Sequence, residues 1–74
     1  MSERIKTKTA AKILGASTPY VIEMMAQGRL PIGEYRKNGK VASVYIYAGP
    51  LAAYLMTTRE EIFQQVKEIE SGIS

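Results

Sequence analysis

Apolar positions recur at helical spacing over most of the chain and alternate in one stretch, between residues 32 and 47. From Thr7 to Leu14, the residues Ala10, Ala11, Ile13 and Leu14 stand among lysines, and Gly15 then supplies the permissive backbone on which a helix ends. A short first helix is predicted there. Ser17 or Thr18 can cap a second helix, with Pro19 in its first turn, where a missing N–H costs nothing. At about 100° per residue, Val21, Met24 and Met25 fall on one face of it and Pro19, Glu23, Ala26 and Gln27 on the other, with Tyr20 and Ile22 on the flanks. Gly28 stops this helix.

Arg29-Leu30-Pro31 makes a bend, and an extended segment from Ile32 to Arg36 follows. Lys37-Asn38-Gly39-Lys40 is a turn, and its Asn-Gly pair tolerates positive φ at both central positions of a hairpin. The return strand, Val41 to Tyr47, puts Val44 and Ile46 on one face and Ser43, Tyr45 and Tyr47 on the other, so one face of a two-stranded wing packs on the helices. Pro50 opens a third helix over Leu51 to Met56, from which Leu51, Tyr54 and Leu55 turn toward the core. Thr58 with Glu61 three residues on is a capping-box pattern, starting a fourth helix that runs to about Glu70 before Gly72. Ile62, Val66 and Ile69 form its apolar stripe, with Phe63 beside them.

The length of 74 residues allows one small domain that buries only about 60% of its unfolded surface. The chain has no cysteine and no histidine, so disulfides, thiolate nucleophiles, imidazole bases and His/Cys zinc sites are excluded. With 46% apolar and 23% charged residues the composition is globular, and no apolar run approaches the roughly 20 residues of a membrane span. No secretory signal follows Met1-Ser2-Glu3-Arg4, and a cytoplasmic protein without cofactor or metal is expected. The overall charge of +3 says little about partners, but its distribution says more. Up to residue 57 the chain carries Arg4, Lys6, Lys8, Lys12, Arg29, Arg36, Lys37 and Lys40 against Glu3, Glu23 and Glu34, a net of +5. Beyond it Arg59 and Lys67 face Glu60, Glu61, Glu68 and Glu70, a net of −2. A basic body for a polyanion and an acidic tail for another purpose are expected.

Three blocks of sequence then carry a resemblance. Thr7-Lys8-Thr9-Ala10-Ala11-Lys12-Ile13-Leu14-Gly15-Ala16-Ser17 resembles the Ala-Ala-x-x-Leu-Gly-Val-Ser start of the helix-turn-helix in the excisionase and MerR-like winged-helix family. Gly28-Arg29-Leu30-Pro31 resembles that family's Gly-x-Leu-Pro exit from the recognition helix. Ile46 to Leu55 resembles its Ile-Pro-x-x-x-Leu-x-x-Tyr-Leu close after the wing. Together the blocks cover roughly residues 5 to 56. The resemblance implies a winged helix-turn-helix over residues 1–57, in the order α-turn-α-β-β-α; with the amphipathic C-terminal helix that the capping box and stripe place over 58–74, the expected fold is mainly α with a small β-hairpin. The resemblance also implies a small DNA-binding protein of a bacterium, phage or mobile element. Two departures stand out. The second helix offers Ile22, Glu23 and Ala26 where such families often carry Arg or Lys, and the acidic fourth helix lies outside the resemblance.

In a helix-turn-helix the second helix enters a major groove with its N-terminal residues nearest the base edges. Ser17, Thr18, Pro19, Tyr20 and Glu23 are the candidates: Thr18 for a phosphate or base, Pro19 and Tyr20 for a thymine methyl or the sugar backbone, and Glu23 for a cytosine amine. The alternative for Ser17 or Thr18 is a role as the cap alone. The wing cations Arg36, Lys37 and Lys40, with Asn38 between them, can reach a backbone or minor groove and release counterions. Lys6 and Lys8, with Lys12, flank the helix that crosses the backbone. Tyr35, Tyr45 and Tyr47 either stack unpaired bases or pack across the sheet. For Ile62, Phe63, Val66 and Ile69, self-association with another copy is expected ahead of docking within the chain.

The expected function is binding of double-stranded DNA, as an excisionase-like recombination directionality factor or a small transcriptional regulator, and not catalysis. A homodimer or an assembly along DNA, and a recombinase or other DNA-bound protein, are the expected partners. The alternative keeps the fold as a protein-interaction module, with Tyr20, Ile22 and Ala26 as its apolar contact surface.

Overall fold

A computed structural model describes residues 4–72. The elements run β1 (Arg4–Ile5), α1 (Thr7–Leu14), α2 (Thr18–Ala26), β2 (Gly33–Asn38), β3 (Val41–Tyr47), α3 (Ala48–Tyr54) and α4 (Arg59–Glu70). The result is a small α/β domain of four helices and one three-stranded antiparallel sheet, ordered β1-β3-β2. The predicted two-stranded wing is thus corrected: Arg4 and Ile5 pair with Tyr47 and Ile46, which makes β3 the central strand.

The helix ends follow from their sequences. Ser17 is the cap of α2, its Oγ accepting from the Tyr20 N–H at 3.2 Å, and Pro19 sits in the first turn. Thr58 caps α4 in the same way, its Oγ1 accepting from the Glu61 N–H at 3.1 Å. Gly28 ends α2 at φ +73, and the Arg29 N–H returns to the Met24 carbonyl, a Schellman closure. After α3 the same closure forms, with the Thr57 N–H on the Ala52 carbonyl, but the left-handed position belongs to Met56, at φ +58. The third helix begins three residues ahead of expectation, at Ala48, and Pro50 still falls in its first turn.

The hairpin turn is also displaced by one residue from the Asn-Gly expectation. Asn38 pairs with Val41, so the loop is Gly39-Lys40, and of these two only Gly39 takes a positive φ, at +65. Gly at the first central position is what a type II′ turn requires. The register fixes the two faces of the sheet. Ile5, Ile46, Val44, Tyr35 and Gly33 share the face on which the helices pack, while Arg4, Tyr47, Tyr45, Glu34 and Arg36 share the other.

One core lies between that inner face and the helices. Ile46 and Ile32 meet Val21 and Met25 from α2, Ala10 and Ala11 from α1, and Leu51 from α3. Ile62 of α4 joins them with its side chain fully buried, and Val66 packs at the margin. Of the tail stripe expected to pair with another copy, Ile62, Phe63, Val66 and Ile69, the first and third are thus engaged within the chain. A core this small leaves the backs of α1 and α3 uncovered, and α4 closes them within the chain. Phe63 is 42% exposed, and Ile69, partly exposed, stands outside the core. Among the described residues no helix is long and apolar enough to cross a membrane.

Candidate nucleic-acid interface

The candidate residues fall in three places. The first is the N-terminal end and outer ridge of α2. With Val21 and Met25 buried, Pro19, Glu23, Ala26 and Gln27 face outward, as the periodicity predicts. Ser17 is exposed but already engaged as the cap, and Thr18 is half-buried beside it. Tyr20 stands 55% exposed on the flank. Glu23 accepts from the Gln27 side-chain amide at 3.1 Å, so the one charge on the helix is steered along its own ridge. No acidic residue occupies the first turn of α2, which leaves the positive end of its dipole unopposed.

The second place is the hairpin. Arg36, Lys37, Asn38 and Lys40 are all exposed, but the alternation of the strand separates them. Lys37 points to the face of the sheet that carries α2, and Arg36 and Asn38 point to the other. Arg36 is further held by Glu34, two residues back on the same face, at 3.3 Å. On this outer face the Arg4 guanidinium lies 4.7 Å from the centre of the Tyr45 ring, a cation–π contact. The three tyrosines are divided as well: Tyr35 packs on the core, and Tyr45 and Tyr47 are half-buried on the outer face.

The third place is the start of α1. Lys6 occupies its N-cap position without a side-chain cap bond, and the first turn holds no acidic residue. Lys8 and Lys12 project one turn apart from the exposed side. Lys6 and Lys8, at this end, oppose the helix dipole, an arrangement that an anion relieves, whereas Lys12 lies in the last turn. Here Lys6, Lys8 and Lys12 line an open cleft of about 230 Å3 with Thr9, Ile69 and Glu70. The buried Thr9 hydroxyl donates to the Glu70 carboxylate at 3.0 Å. Sequence reasoning singled out the lysines but missed Thr9 and Glu70, because nothing in the pattern pairs residues 61 positions apart.

A fourth feature lies beside α2. Leu14, Tyr20, Met24, Arg29, Tyr54 and Leu55 line a groove of about 300 Å3. Tyr54 is 47% exposed on its wall, opposite the helix flank that carries Tyr20. Compared with protein-family models, curated proteins and solved structures, the chain finds no match.

Proposed function

We propose that this chain binds double-stranded DNA as a winged helix-turn-helix module, with α2 in a major groove and the β2–β3 hairpin as the wing. One observation carries the reading: α4 packs on α1 and α3, so the outward ridge of α2 and the hairpin tip are both left open to a partner. The cations outside α4 belong to α1, the hairpin and the segments next to them, which suits a protein that grips phosphates from both sides of a poorly charged reading helix. Ser17 holds the helix start, so contact to bases falls to Thr18, Pro19, Tyr20 and Glu23, and Lys37 is the wing cation on the α2 side. In this reading the protein acts by occupancy and geometry, as a small regulator or as an excisionase-like factor beside a recombinase.

The test is a salt titration on random and genomic duplexes. The logarithm of the binding constant should fall linearly with the logarithm of salt concentration. Ser17→Asp should keep the cap and the melting temperature while weakening duplex binding, since it adds a negative charge at the start of α2. Absence of any binding at low salt overturns the proposal. The groove lined by the exposed rings of Tyr20 and Tyr54 favours a second reading, a protein-interaction module. Capture of a protein partner by a chain that ignores duplex DNA would select it.

A further inference from the structure

The cleft at the start of α1 holds three cations and one anion that do not form ion pairs. Among the described residues, Glu70 accepts only from the Thr9 hydroxyl, and no lysine ammonium stands within 4.0 Å of its carboxylate. Thr9 is 3% exposed and is the one buried polar side chain of the described residues. Lys6, Lys8 and Lys12 extend around it, and Ile69 forms the apolar wall.

We infer that this cleft is the seat of one backbone phosphate of the bound duplex, and that Glu70 is a built-in competitor for that place. The inference rests on the duplex-binding reading. A phosphodiester, like a carboxylate, carries a single negative charge on two accepting oxygens. It would therefore find the same hydroxyl donor and the three ammonium groups left unmatched by Glu70. The chain's own carboxylate marks where such an oxyanion is stabilised. Its charge also repels an arriving phosphate, which weakens sequence-independent attachment while leaving the α2 ridge untouched.

The experiment titrates a random-sequence duplex against the full chain and three variants at low and high salt, with melting temperatures recorded for each. Glu70→Gln keeps an oxygen for the Thr9 hydroxyl and removes the charge. It should bind about fivefold more tightly at low salt, and the gain should vanish at high salt. Glu68→Gln, which alters a carboxylate engaged with Gln64 on the exposed side of α4, should leave the affinity unchanged. Adding Lys8→Ala and Lys12→Ala to Glu70→Gln should abolish the gain. Duplex binding by the full chain with no gain in Glu70→Gln, or an equal gain in Glu68→Gln, overturns the inference and leaves the duplex reading standing. Failure of every form to bind overturns both. If Glu70→Gln does not fold, Lys8→Ala alone decides: it must weaken binding and flatten the salt slope by about one unit, and an unchanged slope overturns the seat.

Discussion

Gly33 lies directly across from Ile46 at the base of the hairpin, so close that a Cβ at position 33 would fall on the Tyr45 carbonyl oxygen and 2.8 Å from the Ile46 Cα. Both obstacles are backbone of the central strand, which cannot swing aside as a side chain can. Gly33→Ala should therefore cost about 3 kcal/mol or more, the upper range of overpacking, and should loosen the hairpin first. Denaturant unfolding measures the loss. A change below about 1 kcal/mol would mean that β2 can slide without consequence for the core.

Met56 offers the opposite case. It holds a left-handed conformation at the end of α3 while its side chain is 92% exposed, so it bears a conformational cost with no packing in return. Replacing it with glycine should stabilise the fold by about 1 kcal/mol, raising the melting temperature by roughly 4–8 °C for a domain of this size. Gly28→Ala, at the equivalent closure of α2, should move the melting temperature in the other direction.

The tail helix supplies a paired prediction on adjacent residues. Ile62→Ala should cost about 2–5 kcal/mol, because the side chain is wholly enclosed, whereas Phe63→Ala should cost less than about 1 kcal/mol. Chemical unfolding at several protein concentrations checks both. A midpoint that rises with protein concentration in the unsubstituted chain and loses that dependence in Ile62→Ala would return this residue to an interface between copies.

The hairpin makes a third contrast. Lys37→Ala should weaken duplex binding and reduce the salt slope by about one unit. Arg36→Ala should do less, because its guanidinium points from the other face and is shared with Glu34. Neither substitution should alter stability by more than about 0.5–1 kcal/mol, since both side chains are exposed. Equal losses of affinity would show that the duplex wraps both faces of the hairpin.

The sequence announces its elements wherever chemistry punctuates them. Ser17 and Thr58 mark helix starts because each hydroxyl accepts a first-turn amide, and Gly15 and Gly28 mark helix ends because they occupy left-handed positions. Tyr47 caps α3 without a side-chain bond, and that helix is the one whose boundary slips, by three residues. β1 is invisible in the pattern because two residues carry no period; only an isolated Ile5 among charges hints at it. The apolar stripe of α4 is plain, but a stripe states that burial is wanted and not against what. The same limit hides the Thr9–Glu70 contact and divides the hairpin cations: alternation was legible, while the assignment of Arg36 and Lys37 to opposite faces relative to α2 needed the register.

The strand order β1-β3-β2 and the docking of α4 on α1 bear on how the chain comes to be folded. The first strand waits for a partner 41 to 43 positions downstream, and the first helix is sealed by the last one. A nascent chain emerging from the ribosome can complete the hairpin locally, but its core stays open until α4 has left the exit tunnel. A protease or a chaperone therefore meets this protein with one side of its core unsealed during its synthesis, and premature termination before Ile62 yields a fragment without its closing wall.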